Sequence, residues 1–109
     1  MTNTSELANH FLRACEDAAI AAAKWRGRGE RKKADGAAVE AMGAVFDSVP
    51  FDCRVAIGEG ERDDAPMLYI GEKVGQGGPN VDIALDPLEG TTITAKGGEN
   101  AMAVIALAQ

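Results

Sequence analysis

Val81-Asp82-Ile83-Ala84-Leu85 runs straight into Asp86-Pro87-Leu88-Glu89-Gly90-Thr91-Thr92, and how these residues are read decides the fold. The first five place β-branched residues on one face, which is the pattern of a strand. The next five read as a turn, with Asp first, Pro next and Gly at its close. A strand that ends on a carboxylate leaves Asp86 at the sheet's edge rather than in free solution. Glu89, three residues on, then stands close enough to share a hard cation with Asp86 through a single tight loop. Gly90 permits close backbone approach, and the hydroxyls and amides of Thr91 and Thr92 face an anion at a helix start or nest.

Working outward, Arg54-Val55-Ala56-Ile57 is an earlier short strand broken by Gly58, and residues 101–108 read as a third, fully buried strand. Residues 58–80 hold six glycines and two prolines. Within them Met67-Leu68-Tyr69-Ile70 fits a strand or a helix equally, because its period does not decide. Upstream, Leu7, Phe11, Cys15, Ala18, Ala22 and Trp25 recur every three or four positions over residues 6–25. That spacing predicts a helix capped by Thr4 or Ser5 and ended by Gly27 and Gly29. A second helix is expected from Asp35, as its N-cap, to about Val49, with the stripe Val39, Met42, Phe46, Val49 and an exit at Pro50. Two helices followed by strands give an α+β fold, a helix layer on a sheet, with residues 1–109 expected to be the N-terminal part of a domain cut short at its C-terminal end.

The chain has 109 residues, 17 Asp+Glu against 11 Lys+Arg, and a net charge of -6. An excess of carboxylates argues against a nucleic-acid partner, which needs the opposite sign. Residues 1–54 carry 8 acidic and 8 basic side chains, and residues 55–109 carry 9 acidic and 3 basic, so the whole surplus lies in the second half. That half also holds 9 of the 13 glycines. Carboxylates set among glycine loops are where cation chemistry is to be sought. The N-terminus lacks the basic and apolar regions of a signal peptide, and no apolar run spans a bilayer. Cys15 and Cys53 belong to no CxxC pair. Two reduced thiols in a cytoplasmic protein are expected. The apolar segment that closes the chain, with no cap or polar tail, reads as an element cut short.

Gly58-Glu59-Gly60-Glu61-Arg62-Asp63-Asp64 places four carboxylates just past a strand. Taken alone it is an exposed acidic turn, and it does not match the alternation of a calcium EF-hand loop. Neither Gly58-Glu59-Gly60 nor Gly75-Gln76-Gly77-Gly78 has the GxGxxG spacing, and no GK[ST] follows. A phosphate bound here therefore needs a divalent cation to reverse the local field. Oxygen donors without His or Cys favour Mg²⁺ or Mn²⁺ over zinc. His10, the only histidine, reads as a packing or surface residue. Arg26, Arg28, Arg31, Lys32 and Lys33 read as a solvated linker between the helices, with a phosphate contact not established by their spacing.

Together these pieces resemble a family. Lys24-Trp25 with Gly27-Arg28-Gly29, Ala34-Asp35-Gly36-Ala37-Ala38-Val39, Ile57-Gly58-Glu59-Gly60-Glu61, Asp63-Asp64-Ala65-Pro66-Met67-Leu68-Tyr69-Ile70-Gly71-Glu72-Lys73-Val74-Gly75 and Asp82-Ile83-Ala84-Leu85-Asp86-Pro87-Leu88-Glu89-Gly90-Thr91 look like the N-terminal part of a class II fructose-1,6-bisphosphatase. The DPLEGT run is the wider mark of the lithium-sensitive, metal-dependent phosphatases. The resemblance implies a layered αβαβα sandwich, here its two leading helices and a mostly antiparallel sheet. It implies metal ligation by Asp35, Glu59, Asp86 and Glu89, with the Leu88 carbonyl as an extra ligand. Thr91 matches the hydroxyl that helps activate the attacking water, with Asp35 beside it and Asp63 as an auxiliary acid. Glu89, Gly90 and Thr91 meet the substrate.

The activity implied is Mg²⁺- or Mn²⁺-dependent removal of the 1-phosphate of fructose-1,6-bisphosphate, with sedoheptulose-1,7-bisphosphate as a further substrate, by a cytoplasmic homo-oligomer. A full-length member is about three times this length, set against domains of roughly 100–200 residues. Further ligands are expected beyond Gln109, so the 109-residue chain alone is expected to be inactive. Two other readings compete: an inositol- or nucleotide-phosphate phosphatase of the same superfamily, and a non-catalytic acidic module that binds cations.

Overall fold

The computed structural model describes residues 4–109. Helix α1 (Thr4–Ala23) and helix α2 (Arg31–Phe46) precede β1 (Asp52–Ile57), β2 (Lys73–Val74) and β3 (Asn80–Glu89); α3 (Thr91–Lys96) and β4 (Met102–Ala108) follow. The four strands form one sheet in the order β2-β1-β3-β4. The outer pairings, β1 with β2 and β3 with β4, are antiparallel, and the central pair β1 and β3 is parallel. The arrangement is α+β, with two helices ahead of a mixed sheet.

Burial sets the layers. Leu7, Phe11, Ala14, Ala18 and Ala22 of α1 and Ala38, Met42 and Phe46 of α2 close on Val55, Ile83 and Leu85 of the sheet. The alanines let the two helices and the sheet approach closely, and the aromatic rings fill the wider end. There Phe11 lies 5.6 Å from Phe46 and 6.4 Å from Phe51, centroid to centroid. His10, expected to be a packing or a surface residue, packs edge-on against Phe51. Both cysteines are free thiols, with burial pushing Cys53 up to about 11. Among the described residues, no helix is long and apolar enough to cross a membrane.

Several boundaries differ from those expected. Thr4 and Ser5 already lie inside α1, and the position before them falls outside the described residues. Helix α2 starts four residues before Asp35, at Arg31, after a Glu30 that makes no side-chain cap bond. Asp35 is therefore an interior residue of the second turn and not the cap. Its carboxyl is released from backbone duty. Residues 67–70 form neither strand nor helix: Leu68 has φ 56° and is buried, while its carbonyl accepts from Glu59 N and Ile70 N donates to Gly60 O. Loop-to-loop hydrogen bonds replace a ladder there.

The largest difference lies in residues 86–89, which continue β3 instead of turning. Asp86 pairs with Val104 and Glu89 with Met102. Pro87 and Leu88 thus oppose the single residue Ala103, which is a β-bulge. Pro87 has no N–H to give a ladder, and an irregular stretch is where a strand tolerates it. Leu88 N donates to Asp86 Oδ1 at 3.2 Å, so the local Asx chemistry survives inside an extended frame. Strand β4 is also not fully buried. Ala103, Ile105 and Leu107 pack on the core, while Met102 and Val104 remain exposed.

Candidate active site

The bulge has a direct chemical result. Successive side chains in a regular strand alternate faces, so residues three apart would point to opposite sides. The extra residue restores the phase, and Asp86 and Glu89 fall on one face in register with Val104 and Met102. A second irregularity, between Val55 and Ile57 of β1, sets Ile57 opposite Ala84. Glu59 and Asp86 each stand two residues beyond that pair. The carboxyl ends of two adjacent parallel strands therefore converge, which is the usual place for a ligand crevice in such sheets.

The first turns of α2 lie over these strand ends. A cleft of about 1020 Å³ opens there, lined by Arg31, Lys32, Asp35, Glu59, Asp64 and Thr91 among others. Asp35 and Glu59 meet in it directly. Burial is the main reason that Glu59 is pushed up to about 7, followed by the charge of Asp35, its hydrogen bond with Asp35 and the charge of Asp86. Asp35 is also raised, first by burial and in part by Asp86, against the lowering effect of its hydrogen bond with Glu59. These directions describe one shared proton, which Glu59 holds and donates to the Asp35 carboxylate. Asp86 stands close enough to repel both.

Such an arrangement suits a hard cation. Two half-buried carboxyls that retain a proton near neutrality can exchange it for a divalent ion, and oxygen-only donors match Mg²⁺ or Mn²⁺. Among the described residues, no three acidic, His or Cys side chains already stand at the spacing that closes around an ion. The Asp35–Glu59 pair, with Asp86 beside it, is what the fold assembles.

The other expected positions lie as follows. Thr91 opens α3 and lines the cleft, after Gly90, whose φ of 97° makes the turn from strand to helix. Glu89 is exposed at the end of β3, and Leu88 is buried with its side chain toward the opposite side. Asp86, Glu89 and Asp63 are not among the cleft-lining residues, where Asp64, the neighbour of Asp63, stands instead. Arg31 and Lys32, which the sequence reading treats as linker, line the cleft one turn before Asp35. With the helix start set at residue 31 rather than 35, their spacing from Asp35 of three and four residues would have put them on its face.

Comparison with known proteins adds the family. The family model described as "Bacterial fructose-1,6-bisphosphatase, glpX-encoded" matches residues 5–109. Fructose-1,6-bisphosphatase 1 class 2 of Escherichia coli strain K12 is 58% identical over 103 residues, covering 94% of this chain and 31% of that protein. Fructose-1,6-bisphosphatase class 2 of Haemophilus influenzae is 52% identical over 101 residues, 92% of this chain and 30% of its own. The chain thus spans about a third of the length of these relatives. With a match over nearly all of its residues, the chain belongs to the bacterial glpX-encoded fructose-1,6-bisphosphatase family.

Proposed function

We propose that this chain supplies the leading part of the active site of a divalent-metal-dependent fructose-1,6-bisphosphatase, a cytoplasmic homo-oligomer when full length. The observation that carries the reading is the meeting of the half-buried Asp35 and Glu59 carboxyls, hydrogen-bonded to each other beside Asp86, at the carboxyl ends of two parallel strands. A bound Mg²⁺ or Mn²⁺ would supply charge neutralisation for the phosphate and a more acidic water. Asp35, Glu59 and Asp86 would hold the cation, with Glu89 and the Leu88 carbonyl completing this chain's share. Arg31 and Lys32 at the cleft wall draw in the anionic substrate. Gly90 leaves room for the sugar phosphate beside Glu89. The Thr91 hydroxyl fixes the attacking water in line with the 1-phosphate, with Asp63 as an auxiliary acid.

The substrate is fructose-1,6-bisphosphate, with sedoheptulose-1,7-bisphosphate as a second sugar bisphosphate. Full-length protein is expected to release phosphate only with Mg²⁺ or Mn²⁺ present. Removing one carboxylate, Glu59→Ala or Asp86→Ala, should lower kcat by about 10²-fold or more, as for loss of a group that stabilises charge in the transition state. Hydrolysis that survives both substitutions at the wild-type rate overturns the reading, and a panel including inositol phosphates and nucleotide phosphates fixes the substrate class.

A further inference from the structure

Helix α3 has six residues, too few to hold together by its own hydrogen bonds. Its far end is held from outside. Gly27 N donates to Thr94 O at 2.8 Å and Gly29 N donates to Ala95 O at 2.9 Å. The Arg26 guanidinium donates to Gly97 O at 3.1 Å. At the near end, Arg31, the first residue of α2, donates to Thr92 Oγ1 at 3.4 Å. The loop between α1 and α2 thus reaches across some seventy residues of sequence to bond the carbonyls at the C-terminal end of α3.

The contact is built for closeness. Gly27 and Gly97 both have positive φ, 74° and 80°, and a Cβ on Gly97 would lie 3.4 Å from the Gly27 Cα. At the near end of α3, the Thr94 amide and hydroxyl both donate to Gly90 O. Thr91 therefore sits on a single turn pinned at both ends.

We propose that residues 26–30 form a strap that sets the position of Thr91 by clamping the C-terminal end of α3, with Arg26 and Gly27 as positioning residues. The proposal rests on the reading of Thr91 as the group that orients the attacking water. A short helix free to rock about Gly90 would sweep that hydroxyl through a range of positions, and small misplacements of a reacting group are costly. Arg26 needs no contact with the substrate to act in this way. Its effect falls on the chemical step and not on substrate capture.

The test uses full-length protein, after wild type and Glu59→Ala have established whether metal-dependent hydrolysis occurs. Arg26→Ala is expected to lower kcat about tenfold with KM changed by less than about twofold, because it removes an interaction that matters only at the transition state. Arg26→Lys, which retains a donor for Gly97 O, should restore most of the rate, and Gly27→Ala should repeat the loss. Lys24→Ala, in the same loop but bonded to nothing in α3, should match wild type. Amide hydrogen exchange at Gly27, Gly29 and Thr94 should quicken in Arg26→Ala while the melting temperature holds. Exchange that quickens with kcat unchanged overturns the positioning role. Unchanged exchange, or parallel loss of kcat and melting temperature, overturns the strap. A wild type without metal-dependent hydrolysis overturns the functional reading instead, and leaves the exchange result to decide whether the strap holds α3.

Discussion

At Glu59 two carboxyl groups and one proton occupy a space that water only partly reaches, and the pH response follows from that. Glu59 is raised from 4.5 to about 7 by burial and by Asp35 and Asp86. A carboxyl with a raised folded-state pKa binds its proton more tightly in the native state than in the unfolded chain. Its contribution to stability is complete below the unfolded value and is lost as pH rises through the folded one. Metal-free protein should therefore melt at a higher temperature at pH 5 than at pH 7.5, as read by circular dichroism. Glu59→Gln should flatten that slope between those pH values. Adding Mg²⁺ or Mn²⁺ at pH 7.5 should raise the wild-type melting temperature with concentration, and Glu59→Gln should respond far less. A flat wild-type profile would refute the shared proton. The acidic residues themselves were visible only as candidates: alone, the Gly58–Asp64 run reads as an exposed acidic turn, and the set of ligands comes from the resemblance to the family. Their partnership was not visible at all. Asp35 as a helix cap would have been occupied with backbone amides, and only the earlier start of α2 turns its carboxyl toward Glu59.

Elements with strong periodicity were read well, and those governed by long-range contacts were not. The α1 stripe buries one face against α2 and the sheet, so its period is visible in the residues. The start of α2 was hidden because Glu30 offers no side-chain cap. The bulge at Pro87 and Leu88 exists only in relation to β4, a partner some fifteen residues away, and no local pattern announces it. Two glycines provide a test with opposite signs. Gly90 has φ 97°, and a Cβ there would meet Ala101 at 3.3 Å, whereas Gly36 lies within α2 with nothing within 4 Å of such an atom. Gly90→Ala should cost about 1–3 kcal/mol, as strained backbone does. Gly36→Ala should stabilise by about 0.5–1 kcal/mol, since Ala holds a helix better. Urea unfolding of both variants measures the difference. Equal effects would mean that the turn at Gly90 is not needed to seat α3.

Across the whole molecule the two helices cover one face of the sheet, and among the described residues nothing covers the other. Register assigns its rows: Arg54 beside Asp82, Ile57 beside Ala84 and Ala106, Asp86 beside Val104, and Glu89 beside Met102. One end of this face is polar, with an Arg54–Asp82 ion pair at 3.4 Å. Its other rows set exposed apolar side chains, Ile57 at 64%, Val104 at 42% and Met102 at 54%, among Asp86 and Glu89. Strand β4 also lies at the sheet's edge and carries no charged residue or proline to block further pairing. Exposed apolar side chains beside an unguarded edge draw copies together. The 109-residue chain should therefore associate as its concentration rises, despite a net charge of -6, with a larger mass by light scattering at tens of micromolar than at one. Val104→Lys places a charge at the centre of both features, beside Asp86, and should hold the chain monomeric while leaving its helical circular dichroism intact. Association that persists unchanged in Val104→Lys would place the contact elsewhere, on the exposed Leu12 and Ile20 of α1.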